Sequence, residues 1–89
     1  MKIIKRTGEI EDFDLSKIKT SILNSSSDVN IPLNNSDINL LIREIEITLK
    51  NIRKLEPTTA YEVRGIVYHV LIKNGFVRIA KAYMSDINF

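Results

Sequence analysis

Two cations, Lys5 and Arg6, stand directly before a glycine turn, and two carboxylates, Glu11 and Asp14, follow it with Lys17 close behind. Cations suit phosphate oxygens, Lys as a point charge and Arg as a fork. Carboxylates suit amine or hydroxyl donors, and helix-start amides suit anions. These groups can serve one ligand only if the chain between them folds back on itself. The local pattern supplies that fold. Lys2–Arg6 reads as a short strand, Thr7-Gly8 as a turn and Glu9–Phe13 as the returning strand, after which Asp14 opens a helix.

Each of these residues also has a plainer reading. Lys5 and Arg6 could protect an edge strand from pairing with another chain. Asp14 is a good helix N-cap in its own right, and it could also meet a ligand if its second oxygen faces outward. Lys17 could be a surface lysine and Ile18 an ordinary core position.

The rest of the chain supplies helices. After Asp14, Leu15, Ile18, Ile22 and Leu23 follow helical spacing, and Asn24-Ser25-Ser26-Ser27-Asp28, poor in helix formers, is expected to end the helix. Val29 to Asn35 reads as a loop, with Pro32 disfavouring helix at Ile31. A second helix begins at Asn35 or Ser36. Its stripe is Ile38, Leu41, Ile42, Ile45, Leu49 and Ile52, and Leu55-Glu56-Pro57 stops it. Thr58 and Thr59 cap a third helix, with Thr59 and Glu62 at capping-box spacing. That helix carries Val63, Ile66, Val67, Val70 and Leu71 inward and ends at Lys73-Asn74-Gly75. A fourth runs from about Phe76 to Ile87, burying Phe76, Ala80, Tyr83, Met84 and Ile87. The expected fold is α+β: a small hairpin or sheet capping a bundle of four helices.

Eighty-nine residues, 44% hydrophobic and 27% charged, make one ordinary globular domain with one modest core. No apolar stretch approaches the roughly 20 residues that span a bilayer, and none resembles a signal peptide. The absence of Cys excludes disulfides, thiolate zinc sites and cysteine nucleophiles and suits a cytoplasmic location. No Gly-x-x-x-x-Gly-Lys-Ser/Thr loop is present, no His-and-carboxylate spacing suggests zinc, and no serine is set beside a base. Nucleotide hydrolysis and metal-assisted catalysis are therefore disfavoured. The lone histidine, His69, reads as structural. The net charge of +2 is uneven: residues 1–49 hold six cations and eight anions, residues 50–89 seven and three.

The opening, Ile3-Ile4-Lys5-Arg6-Thr7-Gly8 then Phe13-Asp14-Leu15-Ser16-Lys17-Ile18, resembles that of the ATP-cone family. These are small nucleotide-binding regulatory domains of ribonucleotide reductases and of the repressor of their genes. The end, Gly75-Phe76-Val77-Arg78-Ile79-Ala80-Lys81-Ala82-Tyr83, is similar to the family's last helix. The family fold, a helical bundle capped by a small sheet, agrees with the independent reading above.

The resemblance implies reversible binding of ATP or dATP, alone or as the magnesium complex, in a regulatory and non-catalytic role. Its output would pass through self-association or a regulated protein partner, without nucleic acid or membrane. It implies phosphate contacts from Lys5 and Arg6, base recognition by Glu11 and Asp14, and helix-start contacts from Lys17 and Ile18. Thr58, Thr59 and Arg64 are implied as further phosphate or ribose ligands, with simple helix capping as the other reading of the threonines. This chain has Asp14 where the family often has Asn, and Thr7 where it usually has Asp. It lacks the basic residue usual after the last tyrosine. The alternative from another class is a nucleic-acid or protein-interaction module using Arg64, Lys73, Arg78 and Lys81.

Overall fold

A computed structural model describes residues 2–5, 7–52 and 58–85. The elements are β1 (Lys2–Ile4), β2 (Ile10–Asp12), α1 (Leu15–Asp28), α2 (Asn35–Ile52), β3 (Thr58–Thr59), α3 (Ala60–Lys73) and α4 (Val77–Ser85). Among the described residues this is a small α+β fold with a three-stranded sheet and four helices.

The hairpin is tighter than the sequence pattern suggests. The strands hold only Lys2–Ile4 and Ile10–Asp12, paired antiparallel with Ile3 opposite Glu11. Lys5 has already entered the turn: its amide donates to the Glu9 carbonyl at 2.8 Å, and its carbonyl accepts from Gly8 at 2.9 Å. Gly8 sits at φ 91°, a conformation that side chains rarely adopt. Arg6 lies outside the described residues.

Thr58 and Thr59 do more than cap. They form β3, parallel to β1, with Ile3 opposite Thr58 and Ile4 opposite Thr59. The sheet order is therefore β2-β1-β3, with the first strand in the middle. Thr59 is also the N-cap of α3, its Oγ1 accepting from the Glu62 amide at 3.1 Å.

The first helix corrects an expectation. It does not fray at Asn24 but continues through the serines to Asp28. Ser25 and Ser26 are buried, and their hydroxyls return hydrogen bonds to the Ser21 and Ile31 carbonyls. Small side chains with satisfied hydroxyls can pack closely where propensity alone predicts fraying. The helix stops at Asn30, φ 56°, where Asn30 donates to Ser27 and Ile31 to Ser26, a Schellman closure. Gly75, φ 87°, closes α3 in the same manner, with Gly75 donating to Ile72 and Phe76 to Leu71. At the start of α2, Asn34 Oδ1 accepts from the Asp37 amide at 2.7 Å.

The helices pack in a ring of contacts: α1 against α2 and α4, and α3 against α2 and α4. The core is Ile18 and Ile22 from α1, Ile38, Leu41, Ile45 and Leu49 from α2, the stripe of α3 from Val63 to Leu71, and Ile79, Ala80 and Tyr83 from α4. Ile79 was not anticipated, whereas Phe76 and Met84 are only partly buried and Ile87 lies outside the described residues. Leu23 is 37% exposed on the outer side of α1. Ile52 is 53% exposed, nearly a turn beyond the last buried residue of α2, Leu49. The predicted stop at Leu55–Pro57 also lies outside the described residues.

Candidate functional site

The register of the hairpin decides which side chains meet α1. With Ile3 opposite Glu11, both line a cleft with Asp12, Phe13, Asp14, Lys17, Ile18 and Val63. The cleft is small, about 90 Å³. Glu11, Asp14, Lys17 and Ile18 are thus brought together from the sequence candidates. Ile18 is 8% exposed and forms wall rather than rim. Lys5 Nζ lies 3.9 Å from Glu11 Oε2, with both side chains partly exposed, so the turn cation stands at the edge of this group. On the same sheet Lys2 is paired with Asp12, whose carboxyl is held below the usual range by that hydrogen bond and the charge of Lys2.

Asp14 is the N-cap of α1. Its Oδ1 accepts from the Ser16 hydroxyl at 2.6 Å and the Ser16 amide at 2.9 Å. The hydroxyl contact and then the amide hold its carboxyl below the ordinary range; desolvation opposes them, and the charge of Lys17 adds the least. Both Asp14 oxygens are therefore acceptors at neutral pH, and one of them is already occupied.

The candidates on the other side of the sheet are placed differently. Thr58 is fully buried against β1, and its Oγ1 finds no hydrogen-bond partner among the described residues. Thr59 is exposed, but its Oγ1 serves the α3 cap. Arg64 does not line the hairpin cleft. It lines a wider groove of about 590 Å³ between α1, α3 and α4, with Ser21, Asn24, Ser25, Ser27, Asp28 and Tyr83. Its guanidinium carbon lies 5.9 Å from the Tyr61 ring centroid. Burial pushes the Tyr83 phenol above its usual range, against the pull of Arg64.

The groove was not anticipated. Its signal was present in Ser21, Asn24, Ser25 and Asp28, a polar stripe at i, i+3, i+4 and i+7 of one helix. The two concavities are neighbours in the chain on both walls. Lys17 of the cleft and Ser21 of the groove are one turn apart on α1, and the Ser21 hydroxyl donates to the Lys17 carbonyl at 3.0 Å. Val63 of the cleft and Arg64 of the groove are consecutive on α3.

Apart from Arg64, the basic residues of the alternative reading do not share these surroundings. Lys73 faces Glu44 of α2 at 3.4 Å, while Arg78 and Lys81 are exposed on α4. His69 is exposed on α3. Among the described residues no group of three or more His, Cys, Asp or Glu side chains is placed to hold a metal ion, and no helix is long and apolar enough to cross a membrane.

The ATP cone domain family matches residues 1–88, and the chain belongs to that family. It is accordingly a nucleotide-binding domain of the regulatory type. No match is found among curated proteins.

Proposed function

We propose that the whole chain is one regulatory unit that binds ATP or dATP reversibly, alone or as the magnesium complex, and catalyses no reaction. The observation that carries this reading is the meeting of Glu11, Asp14 and Lys17 in one cleft, with Lys5 at its edge, in a chain of the ATP-cone family. The base would lie against Ile3, Phe13, Ile18 and Val63, with Glu11 and Asp14 accepting from its amine. Lys5, from the turn, and Arg6 would hold phosphates. Lys17 would stand between the base edge and the ribose, the α3 start at Thr58-Thr59 would border the ribose or phosphates, and the phosphate tail would run along α1 toward Arg64. In this reading the sheet caps one end of the four helices, so that ligand and helix ends meet. The output would be a change in self-association or in contact with a protein partner, in the cytoplasm, near ribonucleotide reduction.

A thermal-shift series against ATP, dATP, GTP and cAMP tests the reading. A ligand at a hundred times its Kd adds about 2.7 kcal/mol, which for a domain of this size is on the order of 10 °C in melting temperature. No shift with millimolar ATP or dATP would reject it.

A further inference from the structure

The side chains lining the hairpin cleft offer an unusual set of hydrogen-bonding groups. Among the described residues that line it, Glu11, Asp12 and Asp14 are carboxylates, Lys17 is the one cation, and Ile3, Phe13, Ile18 and Val63 are apolar. No side-chain amide or hydroxyl among the described residues lines it. An ionised carboxylate only accepts hydrogen bonds, and an ammonium only donates them. Asp14 Oδ1 is taken up by Ser16, while Oδ2 makes no hydrogen bond to a described residue. Asp12 is engaged by Lys2. Among the described residues, the polar side-chain groups left for a base edge are Asp14 Oδ2, the Lys17 ammonium and the Glu11 carboxylate, which Lys5 approaches only to 3.9 Å.

The two purines present different edges. Adenine offers one donor, its amine, beside one acceptor, N1. Guanine offers one acceptor, O6, beside two adjacent donors, N1–H and the 2-amine. Two carboxylates and one ammonium satisfy guanine completely and adenine at least in part. A site that excludes guanine needs a fixed donor facing the N1 position, where guanine's own N–H would be opposed. Among the described residues the only side-chain donor lining the cleft is Lys17, whose flexible stem can follow either acceptor.

Resting on the reading of this cleft as the base site, we propose that Asp14 makes the domain accept guanine nucleotides alongside adenine nucleotides. Asp14 is thus the residue that sets base choice.

Competition for a fluorescent ATP analogue by ATP, GTP and CTP, on the parent and on Asp14→Asn, tests this. Asn caps helices as well as Asp does, so the variant should fold and α1 should keep its start. It replaces an acceptor with a donor group at the base edge. The parent should bind GTP within about tenfold of ATP, and the variant should weaken GTP by about tenfold or more with ATP little changed, as expected for one well-made base contact. GTP failing to compete with the parent, or an unchanged ATP-to-GTP ratio in the variant, would overturn the proposal. CTP competing equally would also overturn it, since the phosphates alone would then be held, while nucleotide binding itself would stand. Failure of every nucleotide to compete would remove both the proposal and the reading beneath it.

Discussion

Lys5 Nζ stands 3.9 Å from Glu11 Oε2, so the cation assigned to phosphate and the carboxylate assigned to the base face each other across the hairpin. The pair is partly exposed and contributes little to stability. Its interest is that a nucleotide would part it: phosphates would draw Lys5 outward while the base amine replaced it beside Glu11.

Lys5→Ala and Arg6→Ala should therefore weaken triphosphates while leaving adenosine nearly unaffected. Loss of a charge-assisted contact costs about 1.5–3 kcal/mol, roughly ten- to a hundredfold in Kd. Glu11→Ala should instead weaken ATP and adenosine alike, since it removes an acceptor for the base amine. Isothermal titration with ATP and adenosine checks this. Three variants that bind like the parent would make the hairpin purely structural.

The cap at Thr59 joins the sheet to α3. Thr59→Ala removes the acceptor for the Glu62 amide and should lower stability by about 0.5–2 kcal/mol. Thr59→Ser should restore most of it. Urea unfolding of both variants decides between capping and a role confined to β3.

Acid should loosen the sheet and the start of α1 first. Asp12 and Asp14 both have carboxyl pKa values depressed in the folded chain, by Lys2 and by Ser16 respectively. Depression means that their stabilising effect is complete above the unfolded value of about 3.9 and is lost as pH falls through the lower folded values. Melting temperature should fall below about pH 4, and Asp14→Asn should flatten part of that fall. A parallel decline in both proteins would assign the acid loss elsewhere.

Ile22 is fully buried where α1 joins the core. Ile22→Ala should cost about 2–5 kcal/mol, depending on how far the neighbours relax. An alteration of less than 1 kcal/mol in chemical denaturation would mean that α1 packs more loosely than described.

Nucleotide should change association rather than the packing of one subunit, because a domain this small has little room for two distinct cores. Light scattering of the apo, ATP and dATP forms reads this directly. An unchanged monomer mass at saturation would leave a protein partner as the target.

Much of this molecule was legible in its sequence, for physical reasons that differ by element. The stripes of α2 and α3 announced themselves because apolar residues at helical spacing have little other use. The hairpin and Asp14 were readable from local chemistry, as were the helix-start threonines. What escaped was set by contacts between distant segments. Two threonines are too few to read as a strand, and β3 exists only because β1 lies beside them. The serines of α1 look like a helix end until the surroundings that bury Ser25 and Ser26 are known. Arg64 was legible as a cation, but its companions Ser21, Asn24 and Tyr83 come together through the packing of three helices.

The placement of β1 in the middle of the sheet has a consequence for the order of assembly. Its pairing with β2 closes a short loop, whereas its pairing with β3 must wait until α1 and α2 have been gathered between Ile4 and Thr58. Loop-closure entropy makes such a junction late to form and early to open. Opening of that seam would place Glu11 on one side and Lys17 and Val63 on the other. Amide exchange at the β1–β3 seam should run faster than in α2 or α3, and a ligand bridging the cleft would slow it by holding shut the last door the chain closes.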